Sequence, residues 1–206
     1  SVSALWLFAL NGPAAMWGVG GLETPLAALL TLLALLSCAR ETAAPARRFP
    51  WSALWLAWAA MCRPEGVMLF GVCLIAKVLW RVARRRGAPD EAPESWPHIA
   101  LWAAAFAALF GAYTAWRVAY FGDWMPNTFH AKVVTGDETN LWRPGLRYTT
   151  RALLFYGGPV AGAALLFGVM AWRRGAPLRL LLLGACAAQM LFAVVVGGDW
   201  MPMGRF

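Results

Sequence analysis

Long apolar runs, separated by short clusters of charge, proline and glycine, organise this chain. Ile99–Val118 and Ala152–Ala171 have 20 residues each and Leu178–Val196 has 19, close to the roughly 20 that a helix needs to cross hydrocarbon. Three further runs are shorter: Pro25–Cys38 and Val67–Trp80 with 14 residues and Trp51–Cys62 with 12. At about 1.5 Å per residue these three reach only about 18–21 Å, against a hydrocarbon core of about 30 Å. Val2–Trp17 is apolar but broken by Asn11-Gly12-Pro13, and reads either as the end of a spanning helix or as an interfacial piece. The pattern predicts an all-α, polytopic transmembrane helix bundle with about six or seven membrane segments, three of them short, and a single transmembrane domain over 1–206.

Composition agrees with that picture. Hydrophobic residues make up 61% of the 206 and charged residues 14%, where a soluble domain carries about 25% charged. The mean hydropathy is +0.57. Disordered, collagen-like and disulfide-scaffold classes are excluded, and so is a soluble nucleic-acid binder. The net charge of +8 reports topology first, because Lys and Arg in a membrane chain collect on the cytoplasmic side. Placing Arg40–Pro50, Trp80–His98 and Trp172–Arg179 in the cytoplasm puts 11 of the 18 cations there, Lys77 at the border included. The two sides then carry +7 and +1. Residues 81–98 become a cytoplasmic loop and 119–151 an extracytoplasmic one. Trp51–Trp80 becomes a hairpin of two short helices with its tip outward; one long kinked helix is the alternative. Starting at Ser1 and stopping at Phe206, the chain reads as an internal fragment of a longer protein.

This orientation brings Gly21-Leu22-Glu23, Arg63-Pro64-Glu65-Gly66, Gly122-Asp123-Trp124-Met125-Pro126-Asn127 and Gly197-Gly198-Asp199-Trp200-Met201-Pro202 to the outer side. Beside short helices, Glu23, Arg63 and Glu65 are expected to sit below the outer surface. Ionised groups at that depth face a water-filled cavity or a partner. Glu23 precedes Thr24-Pro25, which reads as a helix start with Thr24 as N-cap and Pro25 in the first turn. Its carboxylate either favours the helix dipole or binds a hydroxyl or cation. Arg63 and Glu65 pair with each other across Pro64, offer a fork to phosphate oxygens, or do both.

Gly-Asp-Trp-Met-Pro occurs twice, at 122–126 and 198–202. Interfacial anchoring by Trp and helix termination by Gly and Pro explain part of it. The carboxylates Asp123 and Asp199 add candidates for general base, divalent-cation ligand or sugar-hydroxyl acceptor. Asn127, His130, Lys132, Arg143 and Arg147 in the outer loop supply polar and cationic contacts to an anionic headgroup, with Arg205 beyond the second repeat. No metal-ligand spacing and no nucleotide loop occur, so no metal site is assigned and a divalent cation is the one cofactor left open. The four cysteines, Cys38, Cys62, Cys73 and Cys186, match no metal or redox spacing and read as packing residues.

At these motifs the chain resembles the GT-C superfamily of bacterial membrane glycosyltransferases, and most closely the family of the mycobacterial terminal β-(1→2)-arabinofuranosyltransferase and its uncharacterised bacterial relatives. The resemblance rests on Gly21–Leu26, Arg63–Gly66, Tyr120–Phe129 with Ala131-Lys132, and Gly197–Pro202 followed by Gly204-Arg205-Phe206. It implies a multi-pass protein of the bacterial cytoplasmic (inner) membrane whose active face is extracytoplasmic. It further implies a polyprenyl-phosphate sugar donor, a cell-envelope glycan or lipid acceptor, inversion at the anomeric carbon, and no nucleic acid. GT-C enzymes carry a catalytic Asp in the first outer loop, and no part of this sequence matches that loop. The catalytic residue therefore stays unassigned, with Asp123 and Asp199 as the weaker candidates. Substrate binding falls to Glu23, Arg63, Glu65, Asp123, Asn127, His130, Lys132, Asp199 and Arg205. A multi-pass transporter or flippase of a lipid-linked or anionic substrate, and a non-catalytic membrane assembly protein, are the alternatives.

Overall fold

The computed structural model describes residues 23–43, 49–87, 95–124, 142–154 and 177–198. The described residues form six helices and no strand: α1 (Thr24–Ala43), α2 (Trp51–Cys62), α3 (Glu65–Gly87), α4 (Trp96–Phe121), α5 (Trp142–Ala152) and α6 (Pro177–Val195). The runs at Val2–Trp17 and, beyond its first residues, Ala152–Ala171 lie outside them.

Two expectations about length change. α1 has 20 residues and α3 has 23, so neither is short. Both helices continue past the last apolar letter, through Arg40-Glu41 and through Arg81, because the backbone ladder is indifferent to side-chain polarity where those side chains find partners. Only α2, with 12 residues, stays short. The loops shrink accordingly. Residues 81–87 belong to α3 and 96–98 to α4, while 119–121 complete α4 and the whole of 142–151 falls in the amphipathic α5.

The hairpin is direct. Ser52 opens α2 and Lys77 lies midway along α3, yet both meet the Glu41 carboxylate. The chain reaches both by turning at Arg63-Pro64, where Pro64 cannot continue the ladder and Arg63 is extended (φ −147°, ψ 136°). Gly66 makes the tight turn possible. A Cβ there would lie 2.3 Å from the Ala60 backbone nitrogen.

Small residues let the helices approach. Ala34, Cys38, Ala53, Ala57, Ala60 and Cys73 line the interfaces, and Leu35, Leu56, Leu69, Trp102, Phe106 and Leu181 fill the volume between them. Phe70 stacks between Trp102 and Phe106, with centroids 4.9 and 3.9 Å away. α5 rides on α6: a Cβ on Gly145 would meet the Val194 carbonyl oxygen at 2.1 Å.

Thr24–Thr42 and Trp96–Phe121 are long and apolar enough to cross a membrane. The core helix of a soluble protein passes the same length and composition test but is mostly buried, whereas here 33% and 17% of the respective windows are buried. The outer faces instead present Leu26, Leu29, Leu32, Leu101, Trp116 and Tyr120, a surface suited to lipid. These two helices suggest a membrane protein.

Candidate functional site

Polar groups concentrate at the two ends of the helix hairpin. At the tip, Arg63 Nε stands 2.6 Å from Glu65 Oε1, with side-chain exposures of 14% and 6%. Glu65 occupies the first turn of α3, where the helix dipole favours an anion. The Glu23 carbonyl accepts the Ala27 N–H at 2.9 Å and faces the Cys62 thiol at 3.9 Å. The cap position of α1 is thus Glu23, and the expectation of Thr24 as N-cap is corrected: Thr24 is the first helical residue, with its hydroxyl buried and unbonded among the described residues. α1, α2 and α3 therefore bring Glu23, Cys62, Arg63 and Glu65 into one cluster.

This cluster is largely buried, and of the three helices expected to be short only α2 sets its height. Ser52 and Trp102 are hydrogen-bonded, which sets α2 and α4 level at that point. From Ser52 the chain climbs 11 residues to Arg63, about 17 Å, whereas α4 climbs 19 from Trp102 to Phe121, about 28 Å. Measured along α2, the tip stops short of the end of α4. The Trp102 side chain leans toward the start of its helix, which widens that difference.

Asp123 belongs to the rim. It follows Gly122, which ends α4 in a left-handed conformation (φ +73°) with its N–H bonded to the Val118 carbonyl at 2.8 Å. Asp123 is half-buried, and Trp124 beside it is 71% exposed. The second repeat stops its helix differently. Gly197 and Gly198 both have positive φ, and their N–H groups return to Val194 and Ala193 at 3.4 and 2.8 Å, the double bond of a Schellman end. Both copies thus use glycine as a helix stop, the structural part of their recurrence. Asn127, His130, Lys132, Asp199 and Arg205 lie outside the described residues. Arg143 and Arg147 are exposed on α5, with Arg143 against Trp142 at 5.4 Å.

The other end of the hairpin holds a second polar centre, absent from the sequence expectations. Glu41 Oε1 accepts the Ser52 N–H at 2.9 Å and Oε2 the Ser52 hydroxyl at 2.5 Å. Lys77 Nζ lies 3.4 Å from Oε2 and 5.3 Å from the Trp102 ring centroid. Trp102 Nε1–H donates to Ser52 Oγ at 2.7 Å. Glu41, Ser52, Lys77 and Trp102 are all buried. The sequence signal was available: Lys77 is a lone cation between Ala76 and Val78, and it lies about as far from the Pro64 turn as Ser52 does on the other arm. One rung further, Arg81 covers the Trp96 ring at 4.7 Å.

No family model, curated protein or solved structure matches this chain. Among the described residues no group of three or more His, Cys, Asp or Glu could hold a metal ion. Cys38 and Cys73 are buried as expected of packing residues, while Cys186 is exposed.

Chemically the two centres differ. The Glu41–Lys77 pair is enclosed by four helices and satisfied internally, which suits a structural lock. The Arg63 cluster sits at a turn, beneath the rim of a longer helix, and its guanidinium carries further N–H donors beyond Nε. That arrangement can hold a phosphate or a sugar hydroxyl.

Proposed function

We propose that the chain belongs to an integral-membrane glycosyltransferase of GT-C type, multi-pass in a bacterial cytoplasmic membrane. In this reading it moves a sugar, with inversion, from a polyprenyl-phosphate donor to an extracytoplasmic cell-envelope glycan or lipid. The observation that carries the reading is the Arg63–Glu65 pair at the hairpin tip, with side-chain exposures of only 14% and 6%. A lipid-linked donor has its phosphate at the bilayer boundary and its tail in hydrocarbon, and a charged pair bordered by lipid-facing helices matches both parts.

The chemistry follows from that placement. The acceptor hydroxyl attacks the anomeric carbon, the carbon–oxygen bond to phosphate breaks, and the proton leaves to a carboxylate. Arg63 offsets the charge that grows on the departing phosphate, and Glu65 orients Arg63. Asp123 after the end of α4 is the candidate carboxylate for the acceptor hydroxyl, with Asp199 as its counterpart in the second repeat. Trp124 offers an apolar face to a sugar ring.

The test is transfer of labelled sugar from polyprenyl phosphate in membranes holding the protein. Arg63→Ala should lower the rate about a hundredfold or more, the usual cost of one donor to a developing oxyanion. Arg63→Lys, which keeps the charge but not the fork, should lower it less. Wild-type rates in both Arg63→Ala and Asp123→Ala would remove the reading. Substrate flux into sealed vesicles with no acceptor glycan would replace it with a transporter.

A further inference from the structure

At the end of the bundle opposite Arg63, a groove of about 410 Å³ opens between α1 and the start of α2. Ser37, Arg40, Glu41, Phe49, Trp51 and Trp55 line it. Its chemistry is asymmetric. The Glu41 carboxylate is committed to Ser52 and Lys77, so it does not offset Arg40. Arg40 is exposed and forms no ion pair with a described carboxylate. Among the described residues, the net charge facing the groove is therefore that of one guanidinium, with the Ser37 hydroxyl one turn before it.

Opposite stands an aromatic wall. Phe49 and Trp51 are 4.9 Å apart, Trp51 and Trp55 stack at 6.4 Å and 26°, and Phe49 and Trp51 are more than half exposed. Indole rings collect at the headgroup layer, where one edge is wet and the other apolar. The depth agrees. Arg40 lies in the last turn of α1, 16 residues and about 24 Å along the helix from Thr24, toward the membrane boundary opposite the Arg63 cluster.

The surface leading away from the groove completes the argument. Leu29, Leu36 and Arg40 fall on one stripe of α1, because steps of seven and four residues return close to the same helix face. Leu29 is exposed and Leu36 partly so. A cation at the end of an apolar stripe, beside an amphipathic aromatic wall, is the complement of an anionic head on an acyl chain.

We propose that this groove seats the phosphate headgroup of an anionic membrane lipid. The phosphate meets Arg40 and the Ser37 hydroxyl, the glycerol packs on Trp51 and Trp55, and an acyl chain runs along Leu36 and Leu29. This site is separate from the Arg63 cluster and does not depend on the transferase reading or on which leaflet the groove faces.

The experiment titrates the protein, purified in an uncharged detergent, with dioctanoyl phosphatidylglycerol, dioctanoylglycerol, dioctanoyl phosphatidylcholine and inorganic phosphate, counting bound molecules by native mass spectrometry. One saturable phosphatidylglycerol site is expected, with every other probe at least tenfold weaker. Arg40→Gln should weaken phosphatidylglycerol about ten- to a hundredfold, the worth of a charge-assisted hydrogen bond, and Arg40→Lys should fall between. Arg40 is exposed, so both variants should unfold at the wild-type temperature. Equal binding of dioctanoylglycerol, or no effect of Arg40→Gln, would overturn the proposal. Inorganic phosphate binding as tightly as the lipid would make the groove a plain oxyanion site. Phosphatidylcholine binding best, and better still in Arg40→Gln, would make it a cage for a quaternary ammonium; either result refutes the anionic-lipid seat.

Discussion

Replacing Lys77 by Met tests the lock at the base of the hairpin. The substitution keeps the length and apolar stem of the side chain and removes the charge that sits 3.4 Å from Glu41. At that distance, with an effective dielectric near 20, the attraction is about 5 kcal/mol before desolvation is counted. What remains after the change is a carboxylate with 4% side-chain exposure, held by two Ser52 donors but with no counter-charge. Breaking a buried pair from one side costs about 3–5 kcal/mol, because the orphaned charge stays inside. Reversible unfolding by titration with sodium dodecyl sulfate in mixed micelles, followed by helical circular dichroism, reads this loss. The Glu41→Gln/Lys77→Met double variant removes both charges and leaves an amide that still accepts from Ser52. It should come back to within about 1–2 kcal/mol of wild type, giving a coupling of at least about 2 kcal/mol between the two positions. A loss below about 1 kcal/mol in Lys77→Met, or a cycle with no coupling, would refute the view that these charges act as a pair.

Three other outcomes follow from the geometry. Gly66→Ala puts a methyl 2.3 Å from the Ala60 backbone, and should destabilise the hairpin by about 2–3 kcal/mol in the same titration, as overpacking against an unyielding neighbour does. Ser52→Ala removes the group that donates to Glu41 and accepts from Trp102; it should cost about 1–3 kcal/mol, and much less when Glu41 and Lys77 are already neutral. The two repeat glycines should differ. Gly122→Ala meets open space and suffers only its positive φ, about 1 kcal/mol, whereas a Cβ on Gly198 would strike Tyr148 at 2.6 Å. Hydrogen exchange of the α5 amides should rise in Gly198→Ala and stay unchanged in Gly122→Ala.

The sequence was legible where apolar pattern and chain reversal set the outcome. Trp51–Cys62 appears as a helix with the expected bounds, the Arg63-Pro64 turn reverses the chain, and α4 encloses Ile99–Val118. It was less legible where a charge stays helical. Counting apolar letters ends α1 at Cys38, but Glu41 is satisfied by Ser52 and Lys77, so nothing there breaks the helix. The same error hid the second polar centre, since Glu41 and Lys77 were weighed as topology charges rather than as partners across a hairpin. α5 falls inside the expected outer loop because its apolar residues are few and it contains Pro144 and Gly145. Pro144 in fact sits in the first turn, where its missing N–H has no cost, and Gly145 is required by the contact with Val194. The Arg63–Glu65 pairing was legible across Pro64 and is formed, while Cys62 beside Glu23 reads from the sequence only as a packing residue.

The length of α2 has a consequence for how such a chain is assembled. Twelve residues rise about 18 Å, too little to cross a bilayer alone, so in the multi-pass reading proposed above α2 enters together with α3 as one helical hairpin. Its tip enters already neutralised, Arg63 against Glu65, but α3 also carries Lys77, whose counter-charge is Glu41 on α1. The hairpin is therefore complete only after α1 is in place to receive it. Order of synthesis supplies that order of insertion, since α1 leaves the ribosome first. In that reading, a circular permutant that made α1 last would have to lodge Lys77 in hydrocarbon with no anion waiting.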